Sequence, residues 1–214
     1  MAPNFLMEQI LISEGHSIVA GVDEVGRGPL AGPVTAAAVI LDPLNIPNNL
    51  NDSKVLSLKK REKLYDELMS SSIFAVVHVS PKKIDKINIL QASLLAMVNA
   101  VSKLKVVPNH ILIDGNKVPE KLADSATAII KGDAKVLSIA AASIIAKVTR
   151  DRLMRDLSVE FPAYGWAKNA GYPTKCHMNA ILKYGKYPQN RRTFRPIHKI
   201  LCDENNRRFK SKTN

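Results

Sequence analysis

Short apolar runs alternate along this chain with segments whose apolar residues recur at helical spacing, and this alternation restricts the possible folds most strongly. Strands are predicted at 17–22, 34–41, 73–80, 110–114 and 126–133, and helices at 57–69, 88–104, 138–159 and 174–184. Strands interleaved with helices are typical of an α/β sheet covered by helices. Because no helix is predicted between the first two strands, we expect a mixed sheet that begins with an antiparallel pair.

The composition indicates an intracellular protein with a polyanionic partner. The 214 residues fit one domain, or one domain with a small appendage, and a hydrophobic fraction of 46% excludes a disordered chain. A net charge of +12 favours nucleic acid as the partner, although a basic protein of another kind has the same charge. Two cysteines without CxxC spacing, Cys176 and Cys202, argue against a structural zinc site or a disulfide scaffold.

We expect no membrane partner and a cytoplasmic location. Apolar runs such as 34–41 are far shorter than the roughly 18 residues that span a membrane. The N-terminal segment carries Glu8 and Glu14, which makes it a poor signal peptide.

Three predicted strands end on carboxylates, at Asp23 with Glu24, at Asp114 and at Asp133. One such residue is often only a turn initiator or a helix cap. Three in one chain favour a shared site, because strand ends present side chains to a cleft. Since adjacent strand residues point to opposite faces, Asp23 and Glu24 are expected to share a site only if the strand ends or bulges between them.

Four carboxylates in one site repel one another, and divalent cations relieve that repulsion. Mg²⁺ and Mn²⁺ prefer oxygen ligands. Two such ions about 4 Å apart are suited to the in-line hydrolysis of a phosphodiester. If the acids converge, the sequence therefore predicts a Mn²⁺ or Mg²⁺ site for phosphodiester chemistry.

The tripeptide Gly26-Arg27-Gly28 follows the first two acids. Glycines permit close approach of the backbone to a ligand, and the guanidinium suits a phosphate. A plain glycine turn with a solvated arginine explains the same residues equally well. Neither a P-loop nor a GxGxxG dinucleotide fingerprint is present, because no GKS or GKT follows and the acids precede the glycines.

Several other residues are candidates for contacts with phosphates. Lys147 and Arg150 lie three apart on a predicted helix, and Ser143 precedes Lys147 by one turn. Lys54 lies in a loop and Arg191 in the basic C-terminal region. Each, taken singly, is as readily explained as a solvated side chain. The histidines at 78, 110 and 177 have no ligand spacing and are interpreted as structural.

Motifs spread over most of the chain are similar to those of a known family. In order they read GVDEVGRGPLAGPV, LNDSKVLS, NILQASLLAM, ILIDGN, IIKGD, SIAAASIIAKVTRD, GYPTKCH and NRRTFRP. Together these motifs, from about residue 17 to about residue 198, resemble bacterial ribonuclease HII, the type 2 ribonuclease H.

The resemblance implies a ribonuclease H-like fold and a defined activity. The implied fold is an α/β catalytic domain over residues 1–160, with a small helical and basic C-terminal segment over 161–214 packed on it. The implied activity is hydrolysis of the RNA strand of RNA–DNA hybrids with Mg²⁺ or Mn²⁺. It includes nicking of duplex DNA 5′ of an embedded ribonucleotide, which leaves 3′-hydroxyl and 5′-phosphate ends. A monomer is expected.

The resemblance also assigns roles to residues. Asp23, Glu24, Asp114 and Asp133 fall on the four acidic positions of the family. Gly26, Arg27, Gly28 and Tyr172 fall on the positions that read the ribose and its junction with DNA. Recognition of the ribose by these residues is physically reasonable because the 2′-hydroxyl distinguishes RNA from DNA. Without the resemblance, Tyr172 is better explained as a loop aromatic packed on the long helix.

Two positions depart from the family pattern, and two rival functions stay open. Ala170 stands where lysine is common, and Asn190 stands where histidine is common. Both departures are expected to affect substrate grip or junction preference rather than the chemistry. The rivals are a non-catalytic nucleic-acid-binding module, and a nuclease or integrase of the same fold that acts on DNA alone.

Overall fold

A mixed five-stranded sheet forms the centre of the computed structural model, which describes residues 2–185 and 187–200. The strands are β1 (Val19–Val25), β2 (Val34–Leu41), β3 (Ser72–Val79), β4 (His110–Asp114) and β5 (Ala126–Ile129). Their order across the sheet is β3-β2-β1-β4-β5. β1 is antiparallel to β2 and parallel to β4, so the predicted mixed sheet with an initial antiparallel pair is confirmed.

Helices cover both faces of this sheet. They are α1 (Leu6–Ser13), α2 (Leu58–Ser71), α3 (Pro81–Ser102), α4 (Leu137–Glu160), α5 (Trp166–Asn169) and α6 (Lys175–Tyr184). Alternate residues of β2 pack on opposite sides, because Ala36 and Ala38 join the apolar cluster under α3 while Ala37 and Val39 join the cluster under α4. The sheet is therefore buried on two faces, and the helices α3 and α4 form the outer layers.

Three of the predicted helices begin with a side-chain cap. Ser57 Oγ accepts a hydrogen bond from the backbone N–H of Lys60, and Thr174 Oγ1 accepts one from His177. Asn88 Oδ1 accepts one from Gln91, 3.1 Å away, at a break inside α3 where Asn88 has φ of +64°. The predicted helix from Asn88 is thus correct, but a preceding helical segment from Pro81 was not predicted.

Two predicted strands differ from the structure. β5 ends at Ile129, because Lys131 adopts a left-handed conformation with φ of +56° that a strand does not accommodate. Asp133 therefore lies in a 3₁₀ turn, Gly132–Ala134, and the prediction that it ends a strand is wrong. β3 is an edge strand that buries only alternate residues such as Ala75 and Val77, whereas a fully buried strand was expected.

Within the described ranges, α3 is the one helix whose length and composition suffice to cross a membrane. Its alanines Ala92, Ala96 and Ala100 are fully buried in the cluster that packs on the sheet. The apolar character of α3 is accounted for by this packing against β1, β2 and β3.

The chain beyond α4 packs against the rest of the molecule. Trp166, Ile181 and Ile197 form an apolar cluster with Leu30 and Met154. The division at residue 160 stays a prediction, and the last part of the predicted C-terminal segment, residues 201–214 with Cys202, lies outside the described residues.

The first turn of α4 crosses β1 at very short range because Gly21 has no side chain. A Cβ atom built on Gly21 lies 2.1 Å from the backbone carbon of Ser138 and 2.4 Å from the nitrogen of Ile139. On the same turn, the Oε1 atom of the buried Glu8 accepts a hydrogen bond from the backbone N–H of Ser138. Gly21 and Glu8 together position α4 over the carboxyl end of β1.

We predict that Gly21→Ala lowers the free energy of unfolding by about 3 kcal/mol, at the upper end of the range for overpacked cores, because the clashing atoms are backbone. Denaturant unfolding measures this change. Gly28→Ala is the matched control, since a Cβ there meets only the Tyr172 ring, at 3.5 Å, and is expected to leave stability nearly unchanged. Equal stability of the two variants would contradict the close crossing of α4 over β1.

Candidate active site

The carboxyl ends of two adjacent parallel strands bring the first acids together. The β1–β4 ladder ends with the pairs Gly21–Leu112 and Val22–Ile113, so Asp23 and Asp114 are the next residues on their strands. Because β4 stops at Asp114, the edge of β1 is uncovered from Asp23 onward. Both carboxylates therefore lie at one open end of the sheet, as the sequence predicts.

Asp23 and Glu24 reach this end from opposite faces of β1. The ladder with β2 continues regularly through both residues to the pair Val25–Thr35, so the expected strand end or bulge between them is wrong. Asp23 lies on the α4 side, where the Ser143 hydroxyl is near enough to lower its pKa, and Glu24 lines a cleft of about 280 Å³ on the α3 side. They share a site because the missing β4 neighbour leaves the strand edge between them open.

The fourth acid comes from the 3₁₀ turn that precedes α4. The backbone N–H of Gly132 donates a 2.7 Å hydrogen bond to Asp114 Oδ1, which ties this turn to the end of β4. Asp133, the next residue, is buried at 6% exposure. The structure thus brings together all four predicted acids, although one of them arrives on a turn rather than on a strand.

The electrostatics of the site reflect this crowding. Burial raises the pKa of Asp23 well above its usual range, and repulsion from Glu24 and Asp114 raises it further. Burial also raises the pKa of Glu24, against the opposing attraction of Arg27. Burial, and then the charge of Asp133, raise the pKa of Asp114. The protein alone compensates only part of the negative charge that it gathers here.

Two basic side chains pair with the acids. Lys54 Nζ lies 3.3 Å from Asp133 Oδ2 and 3.7 Å from Asp52 Oδ1, and Arg27 Nη1 lies 3.1 Å from Glu24 Oε1. Burial lowers the pKa of Lys54, but the charges of Asp52, Asp133 and Asp23 outweigh it and leave that pKa raised.

The donor set fits a hard divalent cation, because every candidate ligand is a carboxylate oxygen and the cluster carries excess negative charge. Over residues 2–185 and 187–200, no group of three or more His, Cys, Asp or Glu side chains is arranged to hold a metal ion in the conformation described. Since Lys54 and Arg27 occupy carboxylate oxygens, cation binding requires at least some of these side chains to turn.

A cleft of about 100 Å³ adjoins Asp23 on the α4 side. Its lining consists of Asp23, Glu24, Val25, Ser53, Lys54, Ser143, Lys147 and Tyr172. Ser143 is buried, its Oγ lies 2.9 Å from the Oγ of Ser53, and its hydroxyl lowers the pKa of Asp23. Ser53, which was not singled out from the sequence, therefore holds Ser143 beside an acid.

Lys147 reaches the same cleft from the next turn of α4. Its Nζ lies 2.8 Å from Asp151 Oδ1 one turn later, and its side chain is 20% exposed. Lys54 and Lys147 are thus two cationic side chains that the structure places beside the acids, as expected for contacts with phosphates.

Residues 26–33, here called the glycine loop, lie beside this cleft. Gly26 has φ of +89°, and a Cβ there lies 2.2 Å from Arg150 Nε, so only glycine fits. Gly28 is exposed and lies next to the ring of Tyr172, which is itself 44% exposed. The interpretation of Tyr172 as a packed loop aromatic does not hold, because its ring faces the cleft rather than the core.

Arg191 and Arg150 are not at the surface, so their predicted role as phosphate contacts is contradicted. Both are fully buried at 0% exposure. Their guanidinium groups donate to backbone carbonyls at Gly26, Arg27, Ala31, Gly32, Pro33 and Ala170. The sequence marked these residues as basic but had no signal for the carbonyl groups that surround them.

His177 is structural, as interpreted, and it also holds the loop that carries Tyr172. The indole N–H of Trp166 donates to His177 Nε2, so His177 Nδ1 carries the proton and donates to the Tyr172 carbonyl, 2.9 Å away. Burial lowers the pKa of His177, which keeps the ring neutral in this arrangement. His78 and His110 bond to Thr35 and Thr127.

The two departures from the family pattern, Ala170 and Asn190, both take part in hydrogen bonding with the backbone. Ala170 caps α5 in a left-handed conformation with φ of +46°, and its carbonyl accepts from Arg150 Nη1. Asn190 is buried at 2% exposure, and its Oδ1 accepts from the Tyr187 N–H. Asn190 pairs with Ala31 in an isolated antiparallel bridge and so helps to hold the glycine loop in place. Its side chain is too buried to contact the substrate directly.

Comparisons with known proteins identify the family of the chain. The family described as Ribonuclease HII matches residues 20–200. The chain is 53% identical over 202 residues to a ribonuclease HII of Ruegeria sp. strain TM1040, covering 94% of this chain and 88% of that protein. It is 54% identical over 202 residues to a ribonuclease HII of Paracoccus denitrificans, covering 94% and 96% of the two chains.

Solved structures share the fold. Ribonuclease H2 from Pyrococcus horikoshii OT3 aligns with a TM-score of 0.72 and 33% identity, covering 86% of this chain and 96% of that one. RNase HII from Archaeoglobus fulgidus, solved in a complex with PCNA, aligns with a TM-score of 0.70 and 28% identity, covering 83% and 95%. With a matched family, relatives above 50% identity and this arrangement of acids, the chain belongs to the ribonuclease HII family.

Proposed function

We propose that this protein is a divalent-metal-dependent endoribonuclease that hydrolyses the RNA strand of RNA–DNA hybrids. The observation that carries the proposal is the gathering of Asp23, Glu24, Asp114 and Asp133 at the open end of β1 and β4. An uncompensated carboxylate cluster is an electrostatic cost beside a polyanion unless cations bind there. A non-catalytic binding module gives no reason to maintain that cost.

Mn²⁺ or Mg²⁺ is the proposed cofactor, and the four acids are its proposed ligands. A bound divalent cation supplies the Lewis acidity that phosphodiester hydrolysis needs. The protein contributes the placement of the ligands: the N–H of Glu24 donates to Asp23 Oδ1, and the N–H of Gly132 donates to Asp114 Oδ1. Lys54, which pairs with Asp133, would have to leave that carboxylate for a cation to bind there, and could then contact a phosphate.

The proposed substrates also include duplex DNA with a single embedded ribonucleotide, nicked on its 5′ side to leave 3′-hydroxyl and 5′-phosphate ends. Support comes from the position of the glycine loop and Tyr172 on one side of the cleft beside Asp23. Backbone groups of Gly26, Arg27 and Gly28 can approach a 2′-hydroxyl closely. The exposed ring of Tyr172 is suited to stack on the adjoining deoxynucleotide.

We further propose that the enzyme acts as a monomer in the cytoplasm and has no membrane partner. The four acids and the glycine loop all belong to one chain, so the proposed site needs no second subunit. A nucleic-acid substrate and the free thiol of Cys176 are consistent with a reducing, intracellular compartment. Light scattering of the purified protein tests the monomer.

Asp23→Asn is expected to reduce turnover with Mg²⁺ by about 100-fold or more, because loss of a charged ligand removes several kcal/mol of transition-state stabilisation. The substitution should leave the metal-free protein at least as stable as the wild type. The raised pKa of Asp23 means that its ionised form lowers stability at neutral pH, and Asn removes that charge.

Cleavage of a labelled duplex and thermal unfolding in EDTA measure these two effects. Asp124→Asn, an exposed acid in the 3₁₀ helix at Glu120–Ser125, is the control and should retain wild-type turnover. Near-wild-type cleavage by the Asp23 variant would refute the assignment of the acids.

Mn²⁺ affinity should begin to fall on acidification before the pH reaches the ordinary carboxylate range of about 4. The raised pKa values of Asp23, Glu24 and Asp114 cause these groups to take up protons earlier on acidification, and a protonated carboxyl does not bind the cation. Isothermal titration calorimetry at several pH values measures this dependence. An affinity that is flat down to about pH 5 would contradict it.

Tyr172→Ala is expected to reduce cleavage of the single-ribonucleotide duplex about ten- to a hundredfold, the value of one aromatic stack, with a smaller effect on a uniform hybrid. Ratios of kcat/KM for the two substrates measure this preference. Tyr184→Ala removes another exposed tyrosine, from α6, and should change neither value.

An equal loss on both substrates would contradict the junction-reading role of Tyr172. Cutting of an all-DNA duplex as fast as a ribonucleotide-containing one would instead favour a nuclease that acts on DNA alone.

A further inference from the structure

Two arginines are buried side by side behind the glycine loop. Arg150 comes from α4 and Arg191 from the segment after α6, and each is 0% exposed. Neither forms an ion pair with a carboxylate among the residues that the structure describes. Buried charges normally have such a partner, so this pair requires another explanation.

Backbone carbonyls take the place of carboxylates. Arg191 donates to the carbonyls of Gly26, Arg27 and Gly32, and Arg150 donates to those of Ala31, Pro33 and Ala170. Five of these six carbonyls belong to the glycine loop. The sixth, at Ala170, lies two residues before Tyr172, so these six bonds, here called the clamp, join the glycine loop to the segment that carries Tyr172.

The clamp is electrostatically unfavourable in itself. Burial, together with repulsion from Arg150, lowers the pKa of Arg191 to about 9. Hydrogen bonds from a guanidinium to carbonyls offset part of this cost. Burying two adjacent cations destabilises the fold, so filling the core does not explain why both arginines are there. The orientation that they give to the bound carbonyl groups therefore has another role.

The peptide geometry shows what the clamp leaves exposed. No cis peptide bond occurs in the described residues, so each N–H points opposite to the C=O of its own peptide group. Arg191 holds the carbonyls of Gly26 and Arg27 inward, and the N–H groups of Arg27 and Gly28 therefore point away from the clamp. Neither N–H donates to any acceptor among the described residues.

We propose that Arg150 and Arg191 are positioning residues, which fix the glycine loop so that the N–H groups of Arg27 and Gly28 are presented as a pair to the substrate ribose and its phosphate. Their buried charge adds positive potential behind these donors and favours the anionic backbone. This inference rests on the proposed function, because it names the residues that orient the proposed ribose reader.

The inference predicts that Arg191→Lys weakens ribose discrimination. Lysine keeps the charge but presents its donors from one point, so it cannot bridge three carbonyls as a guanidinium does. We expect the preference for a single-ribonucleotide duplex over the matched all-DNA duplex to fall about tenfold or more, the value of hydrogen bonds to a charged group. Arg150→Lys should act in the same direction, which provides a second variant should one fail to fold.

The experiment measures Kd for both duplexes by fluorescence anisotropy with Mg²⁺, in an Asp23→Asn background that prevents cleavage. Amide NMR spectra of the same proteins report directly on the N–H groups of Arg27 and Gly28. Arg195→Lys, the same change at an exposed arginine, is the control and should alter neither readout.

Shifted amide signals at residues 27 and 28 together with a reduced Kd ratio would support the inference. Lowered thermal stability with an unchanged Kd ratio and unchanged amide signals would assign both arginines a purely structural role and overturn it. Wild-type cleavage of the ribonucleotide-containing duplex is measured alongside, because its absence would overturn the proposed function itself, separately from the clamp.

Discussion

Burial of a carboxylate among other carboxylates is the constraint on which the rest of this structure depends. Asp23 is 4% exposed and lies within electrostatic reach of Glu24, Asp114 and Asp133. An arrangement of this kind is unfavourable in the isolated protein, since each charge raises the pKa of its neighbours. The surrounding elements hold it in place: β1 and β4 end together, and α4 crosses β1 over Gly21 and brings Ser143 to Asp23.

Unlike charges are separated within the molecule in a way that suits a nucleic-acid substrate. The acids occupy the end of the sheet, while Arg150 and Arg191 lie behind the glycine loop and donate hydrogen bonds to backbone carbonyls. Lys54 and Lys147 stand between, each paired with an acid in the described structure. A cation at the acids would neutralise their negative charge, and a phosphate at the lysines would neutralise the positive charge that the cation displaces from the acids. Metal binding and substrate binding are therefore physically linked.

Much of this could be predicted from the sequence, because it follows from local patterns. Helices begin close to the predicted residues Ser57, Asn88 and Thr174, and α4 follows from one long periodic segment. These features need only the residue types and their spacing. Asp23 and Asp114 follow apolar runs, but their convergence depends on the parallel pairing of β1 with β4, which spacing does not fix.

The remaining features depend on tertiary geometry that spacing does not encode. Asp133 lies on a turn because the backbone of Lys131 is in the left-handed conformation. Nothing in the identity of a lysine residue predicts this conformation. Asp23 and Glu24 need no bulge because β4 ends early. The burial of Arg150 and Arg191 depends on carbonyls more than a hundred residues away, so both arginines read as surface charges in the sequence.

The central claim is that the four acids form one divalent-cation site, and an anomalous difference map from a Mn²⁺-soaked crystal tests it most directly. The account predicts a strong peak about 2 Å from Asp23 and at least one other acid of the set, with Lys54 turned away from Asp133. Mn²⁺ bound elsewhere, with the Lys54–Asp133 ion pair intact and no density beside Asp23, would contradict it.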